Sequence, residues 1–299
     1  MKRLPAIQSL WIGDALSNVE KLCIQSFLDH GHEFHLYTYA DVGGIPEGTV
    51  NKDANEILPA SEIFKRPGED IRGLADYFRY ALLAERGGWW VDMDLICLKS
   101  FDFDDAIIFV EEFEGDMHYQ NAVLRFPPQH PLMVFMRDLC ADKLDKQSHG
   151  HGMLGGQRIL SQHIRDFGLE KHAKPLLQFV MLQDTPLLAF NNTFRQGLHF
   201  PANAHSIHLG NMFLDRVNID KNAQYDPESL FEQLKSKHRV AQMPGAKTID
   251  SAALNKQVSD AYHAGIAKHN NTVRDKKRIR AAALAAIAVL SVSLLICIT

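Results

Sequence analysis

The sequence predicts an α/β fold with a Rossmann-like core. Strand candidates alternate with stretches of helical spacing, the apolar segments are short, and glycine turns sit where one element must give way to the next. Ser9 to Gly13 (SLWIG) reads as a first strand, and the residues that follow place Leu16, Val19, Leu22, Cys23 and Phe27 at helical spacing. A second strand candidate, Glu33 to Tyr39, follows His30-Gly31. Gly43, Gly44, Pro46 and Gly48 mark a turn-rich connection, and Leu74 to Arg86 has the pattern of a compact helix that stops at Gly87-Gly88.

Trp89 to Ile96 then reads as a buried strand, apolar except for Asp92 and Asp94. Ile107 to Val110 and Asn121 to Phe126 can add strands, His130 to about Leu144 a helix, and residues 149–167 glycine turns followed by a helix. Phe179 to Leu182 and Ser206 to Leu209 supply late strand candidates. No internal period points to a repeat architecture. The expected organisation is a main domain over 1–224, a polar helical or loop extension over 225–274, and a basic flank with an apolar tail over 275–299.

Composition narrows the function classes. A formal charge of -4 gives no global reason to bind nucleic acid, and none is expected as a partner. Cys23, Cys97, Cys140 and Cys297 form no CxxC pair, so they read as small buried hydrophobes of a reducing compartment. The start, MKRLPAIQSLWIG, meets polar residues before a signal-peptide run can form. Residues 281–299 carry no charge and follow Lys276, Lys277, Arg278 and Arg280. As a helix they would span roughly 28 Å, close to a bilayer's hydrocarbon thickness. The expectation is a single C-terminal membrane anchor with the main domain on the cytoplasmic side, the alternative being a helix packed on that domain.

The residues that carry chemistry are Asp76, Arg79, Asp92 and Asp94. On a helix, Asp76 and Arg79 approach one face. On an extended strand, Asp92 and Asp94 share a face about 6.6 Å apart along the backbone. Carboxylates in such apolar surroundings need partners, and a divalent cation held by them can neutralise a departing diphosphate. A salt-bridge network that only fixes local structure is the alternative reading. His208 can add an imidazole to the carboxylates, whereas His205 would face the other way on an ideal strand. The histidines of HGHG, His149 to Gly152, lack further ligands at zinc spacing, and GGWWVDMD lacks the lysine and hydroxyl of a P-loop.

The continuous run from Arg72 through Asp94, RGLADYFRYALLAERGGWWVDMD, resembles the glycosyltransferases that carry a DxD-containing sugar-binding region. That family includes capsular-polysaccharide enzymes, initiating mannosyltransferases and α-1,4-galactosyltransferases. The resemblance implies a GT-A fold and transfer from a nucleotide-sugar donor, with retention, assisted by Mn2+ or Mg2+. It further implies that Asp76 and Arg79 contact sugar, that Asp92 contacts the donor and the metal shell, and that Asp94 ligates the metal. Trp11-Ile12-Gly13 resembles the first-strand nucleotide segment, and Ser206 to Leu209 a histidine-bearing metal segment. Asn121 and His130-Pro131 resemble the stretch after the donor site, and Gly155-Gly156 an acceptor-side glycine motif. Two departures stand out: Gly210 replaces the family's tryptophan, and HGMLGG replaces a TGP-like segment. The expected donor is a UDP-hexose and the expected acceptor a surface glycan or lipid-linked glycan. A metal-dependent phosphodiester hydrolase and a non-catalytic nucleotide-sugar adaptor are the competing readings, and the oligomeric state is open.

Overall fold

The computed structural model describes residues 4–63, 71–114, 116–145, 156–182, 187–191, 200–261 and 263. The chain order is β1 (Ile7–Trp11), α1 (Asn18–Asp29), β2 (Phe34–Thr38), β3 (Val50–Asp53), α2 (Ala60–Ile63), α3 (Ile71–Glu85), β4 (Gly88–Val91), β5 (Leu95–Cys97), β6 (Ile108–Glu114) and β7 (Asp116–Phe126). It continues through α4 (Pro131–Asp145), α5 (Gln157–Asp166), β8 (Ala173–Lys174), β9 (Phe179–Met181), α6 (Leu187–Phe190), β10 (Ser206–His208), α7 (Asn211–Arg216) and α8 (Leu230–Lys237).

Among the described residues the main sheet runs β3-β2-β1-β4-β7-β6-β8, and a small second sheet runs β5-β10-β9. β3, β2, β1 and β4 pair in parallel, while β7 lies antiparallel to both β4 and β6. The chain leaves β1 toward β2 on one side and returns through α3 to β4 on the other. A crevice therefore opens at the C-terminal ends of β1 and β4, the place where an open α/β sheet accepts ligands.

Side chains knit that junction. The Gln8 amide donates to the Gly87 carbonyl at 2.8 Å, and the Ser9 hydroxyl donates to the Val91 carbonyl at 2.7 Å. Gly87 has φ 64°, and a Cβ there would stand 2.9 Å from the Phe126 carbonyl. Only glycine lets α3 turn so sharply into β4. Apolar side chains fill both faces of the sheet. Val19, Leu22 and Phe27 of α1 pack on the face that carries Ile7, Trp89 and Val91, and Phe78 and Leu82 of α3 pack on the face that carries Leu10, Trp90 and Phe109.

Most sequence-predicted elements occur within a few residues of their expected ends. The long strand expected over Trp89 to Ile96 does not. It breaks at Asp92-Met93-Asp94, where the Leu95 amide donates to the Asp92 carbonyl at 3.2 Å, closing a turn between β4 and β5. The break is forced by two different partners: the Asp92 amide still bonds Ala122 of β7 at 2.9 Å, whereas Leu95 to Cys97 turn away to pair with β10. β3 and α7 were not expected.

In the polar stretch after residue 224, Tyr225, Phe231, Leu234 and Leu254 are buried in the same cluster as Val19 and Phe27. Cys23, Cys97 and Cys140 are buried and free. Cys297, the HGHG segment, Gly155 and the apolar tail lie outside the described residues. Among the described residues, no helix is long and apolar enough to cross a membrane.

Candidate active site

The turn between β4 and β5 places Asp92 and Asp94 at the mouth of the crevice. Asp94 meets His208 because β10 pairs antiparallel with β5, setting His208 opposite Leu95, while the Leu209 amide donates to the Asp94 carbonyl at 3.0 Å. The His208 Nε2 lies 3.0 Å from Asp94 Oδ1. One ligand atom from each of Asp92, Asp94 and His208 can be chosen so that all lie within 4.8 Å of one another. This is the convergence expected from sequence, reached by a turn rather than by an extended strand.

α3 supplies the second half of the site. Asp76 and Arg79, one turn apart, are 2% and 4% exposed, so each charge must be answered by the protein. The Arg79 fork donates through Nη1 to Asp76 Oδ1 at 2.6 Å and through Nη2 to Asp92 Oδ1 at 2.8 Å. Its guanidinium carbon lies 4.9 Å from the Trp90 ring centroid, within cation–π range. The Trp90 indole also donates to Asp92 Oδ1 at 2.8 Å, and Asn121 of β7 donates to Asp76 Oδ1 at 2.9 Å. Trp90 therefore answers both the guanidinium and the Asp92 carboxylate, and Asn121 is tied directly to the helix carboxylate.

Charge coupling follows the contacts. Burial opposes the positive charge of Arg79, but the Asp92 and Asp76 carboxylates outweigh it and hold the guanidinium firmly protonated. Burial likewise opposes ionisation of Asp94, yet His208 and the Asn211 amide overcome it and hold the carboxyl below its usual range. For His208 the order repeats: burial lowers its pKa, and the neighbouring Asp94 reverses the sign and raises it.

Sequence reasoning missed Asn211, the first residue of α7. Its backbone amide bonds Asp94 Oδ2, and its side-chain amide donates to Glu20 Oε1 at 3.2 Å. Glu20, fully buried, accepts from the Ser17 amide at 2.8 Å in the capping box of α1. The cap that starts α1 thus also braces the Asp94 turn. Gly210, where the family's tryptophan is replaced, has φ 76° and lets the chain pass from β10 into α7. No composition signal marks Asn211, since its role comes from a backbone N–H.

Trp11 and Ile12 line the same cleft, of roughly 310 Å3, as Asp76, Arg79, Asp92 and Asp94. Gly13 is not among the lining residues. Its φ is 155°, and a Cβ there would press within 3.2 Å of the Trp11 indole nitrogen, so it shapes the ring's position. His205 is turned away, with Nδ1 2.8 Å from the Asn203 carbonyl oxygen and its ring against Phe103.

Residues 20–114 match the glycosyltransferase sugar-binding region containing a DXD motif. Over that segment the chain is similar to the DXD-containing glycosyltransferases. It is a glycosyltransferase by that domain. The matched segment holds Asp76, Arg79, Asp92 and Asp94, while Trp11, Asn121 and His208 fall outside it. No curated protein shows a significant match. A solved structure titled PaToxG Glycosyltransferase is similar at 17% identity with a TM-score of 0.46, over 56% of this chain and 72% of that one.

Proposed function

We propose that this glycosyltransferase moves a hexose from a nucleotide-sugar, with UDP as the carrier and with retention, to a surface-glycan or lipid-linked glycan acceptor, using Mn2+ or Mg2+. The observation that carries the reading is the convergence of Asp92, Asp94 and His208 at the crevice between β1 and β4, beside the Asp76–Arg79 pair. A strand order with its switch point at β1 and β4 also fits the GT-A arrangement.

Two carboxylates and an imidazole form a donor set suited to Mn2+, and Mg2+ would need more oxygen ligands from water or phosphate. Asp92, Asp94 and His208 are the residues that would hold the ion. Bound there, it would supply charge neutralisation for the departing diphosphate. The chain's own groups do the rest. Trp11 and Ile12 flank the nucleotide at the end of β1. Arg79 directs two fixed donors, and Asp76 with Asn121 holds that fork in place. As the acceptor oxygen bonds the anomeric carbon, the bond to the diphosphate breaks, its electron pair leaves with the diphosphate, and the hydroxyl proton passes to a diphosphate oxygen. Attack on the face of departure gives retention.

A screen of UDP-glucose, UDP-galactose, UDP-N-acetylhexosamines and GDP-mannose with Mn2+ or Mg2+ tests the reading. Release of the nucleoside diphosphate with an α-linked product supports it in full. An inverted product rejects retention, phosphodiester cleavage favours a hydrolase, and binding without turnover favours an adaptor.

The C-terminal apolar run after residue 280 and its Lys/Arg flank support anchoring at a cytoplasmic membrane face. Fractionation of the full chain against a chain ending near Asp275 decides this: equal solubility of both rejects the anchor.

A further inference from the structure

Beyond the metal-binding turn the cleft continues over β7 and β6, where a second polar group occurs that the donor chemistry does not use. Glu112 of β6 and Gln120 of β7 are 8% and 3% exposed and both line the cleft. They share one sheet face, because Gln120 is paired with Val110 and Glu112 lies two residues further along β6. Gln157, the first residue of α5, reaches over the sheet edge and donates its side-chain amide to Glu112 Oε2. Among the described residues the buried Gln120 Nε2 has no hydrogen-bond partner, a desolvation penalty that a ligand oxygen would relieve.

Position across the sheet says what the group faces. Trp11 and Ile12 stand at the end of β1, Asp92 and Asp94 at the end of β4, and β7 and β6 follow in that order. Two strand spacings of about 4.8 Å separate β6 from β4, on the side opposite β1 and its nucleotide-facing end. A carboxylate bonded by one side-chain amide, with a second amide on the same sheet face of the neighbouring strand, offers both acceptors and donors, which suits vicinal hydroxyls, each of which both donates and accepts.

From this juxtaposition we propose that Glu112, Gln120 and Gln157 form the acceptor subsite and select a carbohydrate acceptor, with Glu112 accepting a hydrogen bond from a sugar hydroxyl. The assignment rests on the glycosyltransferase reading above. It makes the β6–β7 face, rather than the Asp92–Asp94 turn, the determinant of what receives the sugar.

The test uses the full chain with Mn2+, the nucleotide-sugar from the screen above, and a panel of methyl and octyl glycosides beside a serine-rich peptide. Glu112→Gln keeps size and hydrogen bonding but removes the charge; Gln120→Leu removes the unpartnered donor, and Gln157→Ala is the milder change at a partly exposed position. For each variant that remains folded by circular dichroism, the acceptor KM should rise at least tenfold while the donor KM and the Mn2+ affinity keep their wild-type values. An unchanged acceptor KM in Glu112→Gln and Gln157→Ala overturns the proposal, and a parallel rise in donor KM reassigns the group to the donor side. Wild-type transfer to the peptide and to no glycoside rejects the carbohydrate assignment alone. Failure of the wild type to turn over any nucleotide-sugar rejects the enzymatic reading, and this inference with it.

Discussion

Replacing Arg79 by lysine tests the centre of the site, because one side chain there answers two carboxylates. The arginine fork spans Asp76 at 2.6 Å and Asp92 at 2.8 Å with separate nitrogens, and both ends of the Asp76 contact are almost wholly buried. An ammonium on a straight stem keeps the charge but is a single point, so it can serve one carboxylate well and leaves the other short of a donor. A hydrogen bond to a charged group contributes about 1.5–3 kcal/mol, and because Trp90 still donates to Asp92, the lower part of that range is expected for stability. If the lost contact also positions the donor, the same energy corresponds to roughly a 10- to 150-fold fall in kcat/KM. Arg79→Met, which removes the cation beside the buried Asp76 and the partly exposed Asp92, should cost more, about 3–5 kcal/mol. Urea unfolding of the three proteins, alongside nucleoside diphosphate release with Mn2+, gives both quantities. A lysine variant within 0.5 kcal/mol of wild type, with unchanged turnover, would refute the two-carboxylate argument.

Asp94→Asn should keep the fold, since the amide preserves shape beside His208 and Asn211, but lose Mn2+ affinity and metal-dependent turnover by more than about 100-fold; calorimetric Mn2+ titration at wild-type thermal stability checks it. Asn211→Ala removes the contact to Glu20 while keeping the backbone bond to Asp94, so a fall in Mn2+ affinity of about tenfold is expected, with Glu20→Gln giving a change of the same sign. Acid should weaken the contact between α1 and the residues after α8. Burial pushes Asp29 up, but bonds from His238 and Gln25 and the Arg239 charge outweigh it, so its contribution is present above the ordinary carboxylate range and lost as pH falls through its lowered value. Burial holds His238 down despite the Asp29 bond, so the imidazole contributes in the same direction, with stability present above its unfolded pKa and lost on acidification. Unfolding free energies from urea titrations between pH 5 and pH 2 should fall less steeply in Asp29→Asn, by about 1 kcal/mol at most given the exposed Arg239.

The alternation of elements and the carboxylate-bearing segments were determined by sequence alone, because helical spacing, strand runs and glycine stops are local properties. The run from Arg72 through Asp94 was legible for the same reason: α3, the Gly87-Gly88 turn and β4 are contiguous, so Asp76, Arg79 and Asp92 are brought together by a single helix-to-strand reversal. Tertiary structure decided how Asp94 is held. The strand expected to carry both aspartates is broken, since β5 leaves the main sheet to pair with a strand more than a hundred residues later, and no local pattern announces a partner at that distance. The same pairing delivers His208, and the α7 start delivers the Asn211 backbone amide, a group every residue but proline possesses and which therefore leaves no mark in composition. Glu112, Gln120 and Gln157 were invisible for a related reason. Each is an ordinary polar residue in its own segment, and they become a group only where β6, β7 and the start of α5 converge on the cleft.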